Sequence, residues 1–163
     1  MEFDPVDKIL AQWQQERPDL DVSPMGIIGR VTRLARHLEQ ALQETFSEFG
    51  LTAGEFDVLA TLRRSGRPYQ LSPTELFNTL MVSSGTMTHR IDRLEQAELV
   101  QRIPDPSDRR GTQIKLTDKG FDVIEKAVEA HVNNEHRILN GLEVSEREVL
   151  IQLLRKFLVS FEK

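Results

Sequence analysis

Apolar residues fall at helical spacing along most of this chain, and one stretch departs from that rhythm. Val6, Ile9, Leu10 and Trp13 share one side of a short helix from Asp4 to about Glu16, which Arg17-Pro18-Asp19-Leu20-Asp21 breaks. Ser23 before Pro24 reads as an N-cap with proline at the first helical position. A long helix follows, with Ile28, Val31, Leu34, Leu38, Leu42 and Phe46 on one stripe, ending near Gly50. Thr52 with Glu55, and Ser72 with Glu75, have the spacing of capping boxes, in which each side chain satisfies the other residue's backbone N–H. The first opens a helix through Phe56, Leu59, Ala60 and Leu62, closed by Ser65-Gly66. The second opens one through Leu76, Phe77 and Leu80, and Leu71 just before it suits one or two strand residues. A further helix covers Val82 to Ala97.

From Leu99 the period shortens to two. Leu99, Val100, Arg102 and Ile103, then Thr112, Ile114 and Leu116, flank the loop PDPSDRRG, which predicts a hairpin with a projecting tip. Thr117 caps another long helix bearing Phe121, Ile124, Val128 and Ile138, and Ser145 with Glu148 opens the last. The fold class expected is mainly α with a small β-hairpin. Residues 51–117 form a winged helix-turn-helix, with helical segments at 1–50 and 118–163.

Composition narrows the function. Apolar residues make up 39% of the chain, enough for a core, yet no apolar run approaches the roughly 20 residues that span a bilayer. The N-terminus MEFDPVDKIL lacks a basic leader followed by an apolar stretch, so neither signal peptide nor membrane is expected. Without cysteine there is no disulfide framework or thiol sensor, and the expected compartment is the cytoplasm. A net charge of −5 argues against a protein that coats nucleic acid unselectively. A specific DNA binder of this charge must concentrate its arginines locally. No nucleophile elbow, phosphate-cradling glycine loop or carboxylate pair for acid–base work is present, so neither catalysis nor a cofactor is expected. Ser83-Ser84-Gly85 sits at a helix start with no base partner.

The helix from Val82 carries the candidate chemistry. At about 100° per residue, Met87, Ile91 and Leu94 form a narrow apolar stripe, with Gly85, Thr88, His89, Asp92 and Gln96 opposite. Gly85 and Thr86 permit close backbone approach at the helix start, where Ser83 and Ser84 are also assigned to DNA. Thr88 suits a thymine methyl and His89 a base edge or phosphate, and Arg93 is assigned to DNA with them. Alone, such a face reads equally as a solvated helix surface. The hairpin favours DNA, because Arg109 and Arg110 at its tip suit the negative potential of a narrow minor groove; ordinary salt bridges on a soluble loop are the other reading.

The runs LTAGEFDVLATLRRSG and LSPTELFNTLMVSSGTMTHRIDRLEQAELVQRIPDPSDRRGTQIKLTDKG resemble the MarR family of bacterial transcription regulators, from about Pro24 to the C-terminus. The resemblance implies a homodimer whose N- and C-terminal helices intertwine, placing dimerisation helices in 1–50 and 118–163. It also implies a palindromic double-stranded DNA operator and release by a small-molecule effector. Within the family, GEFDVLATLRRSG and MTHRIDRLE with the extension carrying Trp13 resemble the urate-responsive subgroup. That likeness assigns Trp13, Asp57, Arg90 and Arg102 to a urate-like or aromatic anion. Helical arithmetic supports Arg90 independently: it lies about 60–70° from the apolar stripe, on a margin from which a side chain turns toward a cleft. A surface ion pair or a phosphate contact stays open for Arg90, as does plain packing for Trp13. Two rival functions remain. A metal-responsive regulator would draw on His37, His89, His131 and His136, which lack an H-x-x-x-H or cysteine cluster. A winged-helix protein-interaction module would favour a bland or acidic wing tip.

Overall fold

The structure, a computed structural model, describes residues 3–106, 108 and 111–162. It divides into two compact units, Met1–Glu44 and Thr45–Lys163.

In the first unit, α1 (Pro5–Glu16) is opened by Asp4, whose carboxylate accepts the Val6 N–H at 2.7 Å, while the Asp7 carboxylate returns to the Asp4 N–H. This is a capping box with aspartate as its second acid. The long α2 (Ser23–Ser47) begins at Ser23 itself, so Ser23 lies within the helix rather than capping it; the Asp21 carboxylate accepts its N–H at 3.0 Å. Gly26 and Gly29 face α1, where added Cβ atoms would stand 3.2 Å from Leu10 and 3.3 Å from Val6. Glycine at these positions lets the two helices close up. Arg30 then ties them together through Asp4 at 2.8 Å and Asp7 at 2.5 Å. Ile27, Ile28, Val31 and Leu34 remain exposed on α2.

The second unit is the winged helix-turn-helix with its C-terminal helices. Its elements are α3 (Ala53–Arg64), β1 (Gln70–Leu71), α4 (Pro73–Leu80), α5 (Ser84–Gln96), β2 (Val100–Pro104), β3 (Thr112–Leu116), α6 (Asp118–Ile138) and α7 (Val144–Val159). The two expected capping boxes are both formed. Met81, in the left-handed region at φ 50°, makes the turn from α4 into α5. Beyond α5, Glu98 at φ 61° lets the Leu99 N–H reach back to the Leu94 carbonyl at 2.9 Å, the hydrogen bond of a Schellman C-cap.

The hairpin gains a strand that its own pattern does not show. β1 joins it as a third antiparallel strand in the order β1-β3-β2, with Leu71 opposite Ile114 and Ile114 opposite Arg102. The core lies between this sheet and helices α3 to α6. Leu59, Leu62, Leu76, Met87, Ile91, Leu94, Ile114 and Ile124 are all fully buried there, and each contributes roughly 1.5–3 kcal/mol by leaving water. The last helix starts earlier than the Ser145–Glu148 spacing suggests. Its N-cap is Glu143, whose N–H is taken by the Glu146 carboxylate at 2.8 Å. Along α7, Val149, Leu153, Leu154, Phe157 and Leu158 are exposed. Among the described residues no helix is long and apolar enough to cross a membrane.

Candidate nucleic-acid interface

α5 is shorter than its pattern by two residues at the start, because Ser83 stops the turn and caps it. The Ser83 hydroxyl accepts the Thr86 N–H at 3.2 Å and shares a 2.8 Å hydrogen bond with the Thr86 hydroxyl. Met87, Ile91 and Leu94 are buried, as the stripe requires, whereas Ser83, Ser84, Gly85, Thr86, Thr88, His89 and Arg93 are all exposed. Around Gly85 there is open space. The Thr88 hydroxyl donates to the Ser84 carbonyl at 3.0 Å. Arg109 and Arg110 lie outside the described residues. Among their neighbours, the Asp105 N–H donates to the Gly111 carbonyl at 3.0 Å and Gln113 donates to the Asp105 carboxylate at 2.7 Å, closing the base of the wing tip.

Both flanks of α5 are gripped by ionic contacts. On one flank, Arg102 from β2 pairs with Asp92 at 2.5 Å and with Glu95, and its backbone N–H donates to the Glu95 carboxylate at 3.0 Å. Wing and helix are thereby tied side chain to side chain and side chain to backbone. On the other flank, Arg90 lies flat over Gly54 in the first turn of α3, so close that a Cβ at position 54 would collide with its guanidinium. One turn further along, Arg93 donates through Nε to the buried Glu55 carboxylate at 2.7 Å.

Of the four residues assigned to an effector, Asp57 and Arg90 are neighbours in the electrostatic sense. Asp57 is exposed by area, yet partial desolvation pushes its carboxyl above the usual aspartate range, while Arg90, Arg64 and His131 pull it back. Arg102 is engaged on the opposite flank of α5, with Asp92 and Glu95. Trp13 belongs to the first unit, on α1, where it is 42% exposed. Sequence reasoning assigned Glu55 only to its capping box, placed Asp92 on the outer face of α5 without a partner, and overlooked Gly54 and Glu95. The i, i+3 pair of acids on α5 was the available signal for the Arg102 clamp.

The profile of the MarR family matches residues 51–112, the stretch that runs from α3 to the start of β3. The HTH-type transcriptional regulator PecS of Dickeya dadantii (strain 3937) is 48% identical over 149 residues, 91% of this chain and 90% of that protein. The chain belongs to the MarR family of transcriptional regulators. Another member, the multiple antibiotic resistance protein MarR of Escherichia coli (strain K12), is 32% identical over 85% of this chain and 93% of its own length. Among solved MarR-family structures, a mutant E. coli MarR complexed with operator DNA gives a TM-score of 0.71 at 28% identity, covering 90% of this chain and 97% of that one. AbsC from Streptomyces coelicolor gives 0.78 at 25% identity, covering 88% and 97%.

Proposed function

We propose that this MarR-family regulator is a repressor that binds a palindromic DNA operator as a homodimer and is released by a small anionic or aromatic effector. The observation that carries the reading is the polar, sterically open face of α5, held from both flanks beside the β2–β3 hairpin. Ser83, Ser84, Gly85, Thr86, Thr88 and His89 face base edges and sugar–phosphate, Arg93 stands at the margin for a phosphate, and Arg109 and Arg110 belong to the wing. The related E. coli protein solved with operator DNA supports the same use of the fold.

Self-association follows from the apolar faces that one copy leaves in water, on α2 at Ile27, Ile28, Val31 and Leu34 and on α7 at Val149, Leu153 and Phe157. Faces of this kind mark interfaces, and a second copy gives the two α5 helices the half-site spacing of about 34 Å that one helical turn of duplex demands. For the effector, Arg90 beside Asp57 supplies a cation next to a carboxylate with raised proton affinity. An incoming anion competes with Asp57 for Arg90 and disturbs the seat of α5; Trp13 and Arg102 are assigned to an effector on resemblance alone. The ligand weakens DNA binding only as far as it prefers the non-binding conformation, typically by about 1–3 kcal/mol. Among the described residues no group of three or more His, Cys, Asp or Glu side chains is placed to hold a metal ion.

Footprinting on the DNA upstream of the gene, with and without urate, xanthine and related anions, tests both parts. A protected palindrome that opens when an anion is added is the expected result. Protection that no anion relieves would remove the effector assignment and leave operator binding standing.

A further inference from the structure

The first turn of α3 does more than start a helix. The Glu55 carboxylate is 5% exposed and serves two partners with its two oxygens: Oε2 accepts the Thr52 N–H at 2.8 Å, and Oε1 accepts the Arg93 Nε at 2.7 Å. Arg93 itself is 52% exposed. One end of its guanidinium is pinned inside the protein, and the other faces water on the flank of the helix assigned to DNA. Beside it, Gly54 provides the space in which Arg90 lies, with a Cβ there only 2.7 Å from Nη2. Two successive residues of α3 thus receive two arginines of α5, one by vacancy and one by charge.

We propose that Glu55 is a positioning residue for DNA recognition, holding Arg93 in one place so that its remaining N–H groups meet a phosphate only when α5 is seated in register. The argument is electrostatic. A free arginine on a long side chain attaches to phosphates on any sequence, because counterion release rewards each contact regardless of the bases nearby. An arginine anchored by a buried carboxylate has little net charge left for unspecific contact and retains N–H groups for a phosphate at one fixed position. Glu55 therefore discriminates between seated and unseated DNA without touching it. The inference rests on α5 being the recognition helix, so wild-type protein binding a duplex selected from a random library is the control. Failure of that control would overturn the recognition reading itself.

The test uses Glu55→Gln, which keeps a capping-box side chain at this position and removes the charge. Affinity is measured against salt for the selected duplex and for a random-sequence duplex. With Arg93 released, the salt slope should steepen by about 0.9, and the ratio of selected to random affinity should fall roughly tenfold, the size of one mismatched base pair. In an Arg93→Gln background, Glu55→Gln should change neither quantity further. Unchanged slope and ratio in a folded Glu55→Gln protein would overturn the proposal, as would the same change appearing without Arg93. Should Glu55→Gln fail to fold, Glu55→Asp replaces it. Aspartate closes the capping box of α1 in this same protein, and its shorter reach withdraws the carboxylate from Arg93, with the same slope and ratio changes expected and the same results overturning it.

Discussion

Gly120, in the first turn of α6, lies against the backbone of Leu99 so closely that a Cβ there would collide with the Leu99 carbonyl oxygen and stand 2.8 Å from its carbon. Leu99 has no freedom to retreat. Its N–H is bonded to the Leu94 carbonyl and its own carbonyl accepts the Thr117 N–H at 3.2 Å. Gly120→Ala should therefore cost at least about 3 kcal/mol, the upper end of overpacking penalties, and lower the melting temperature by roughly 6–12 °C. A variant melting within a degree of wild type would show that α6 and the wing base move apart freely.

Gly85 offers the opposite case. Nothing in the protein obstructs a Cβ there, and glycine inside a helix is less stable than alanine by about 1 kcal/mol. Gly85→Ala should raise the melting temperature while weakening operator binding, because the methyl stands on the face assigned to DNA. Equal or tighter operator binding would take Gly85 out of that interface.

Of the three non-glycine residues with positive φ among the described residues, Tyr69, Met81 and Glu98, the last two offer a test of what that geometry costs. Met81 is 84% exposed at φ 50° and Glu98 sits at φ 61°. Left-handed geometry costs a residue with a Cβ roughly 1–2 kcal/mol, and glycine escapes it. Met81→Gly and Glu98→Gly should each raise the urea midpoint, with the larger gain at Met81. Glu98 also approaches Lys119 at 3.5 Å, an attraction that glycine removes. A loss of stability at position 81 would mean that the methionine has a partner.

Acid should separate two carboxyls. Hydrogen bonds from the Ser72 backbone N–H and hydroxyl hold Glu75 below the usual glutamate range. Its support of α4 is therefore present above the ordinary glutamate value and lost as pH falls through the lowered one. Desolvation holds Asp57 above the usual range, so its contribution is full below the ordinary aspartate value and lost as pH rises through the raised one. Urea midpoints measured across the acid range should fall less steeply toward low pH in Glu75→Gln than in wild type. Asp57→Asn should instead gain relative to wild type as pH rises. Reversed signs at either position would contradict these causes.

The wing arginines carry a prediction of their own. Replacing Arg109 and Arg110 together with alanine should weaken binding to all duplexes and make the salt slope shallower by up to about 1.8, about 0.9 for each phosphate that no longer has its arginine. An unchanged slope would place the wing tip away from the DNA backbone.

The local parts of this fold were legible in the sequence and the distant ones were not. Thr52–Glu55 and Ser72–Glu75 were readable because a capping box is complete within four residues. The same logic misplaced the last helix start: Glu143–Glu146 and Ser145–Glu148 overlap, and spacing alone does not rank them. β1 was legible only as a trace at Leu71, since two residues cannot show a period of two. At the candidate site, 100° geometry was enough to separate Met87, Ile91 and Leu94 from the exposed face. It also placed Arg90 on a margin, where Gly54 now explains its direction. Glu55 with Arg93, and Arg102 with Asp92 and Glu95, depend on chain crossings that no local pattern encodes. A glutamate that caps its own helix gives no sign that its second oxygen is spoken for.

The double grip of Arg102 on Asp92 and Glu95 couples α5, the helix assigned to DNA, to its hairpin as one piece. Such a piece has little freedom to trade a poor fit in one groove for a better fit in the next. Each half-site is consequently measured by a ruler of fixed length, and an inserted base pair between the two marks should be punished more than a changed letter under either.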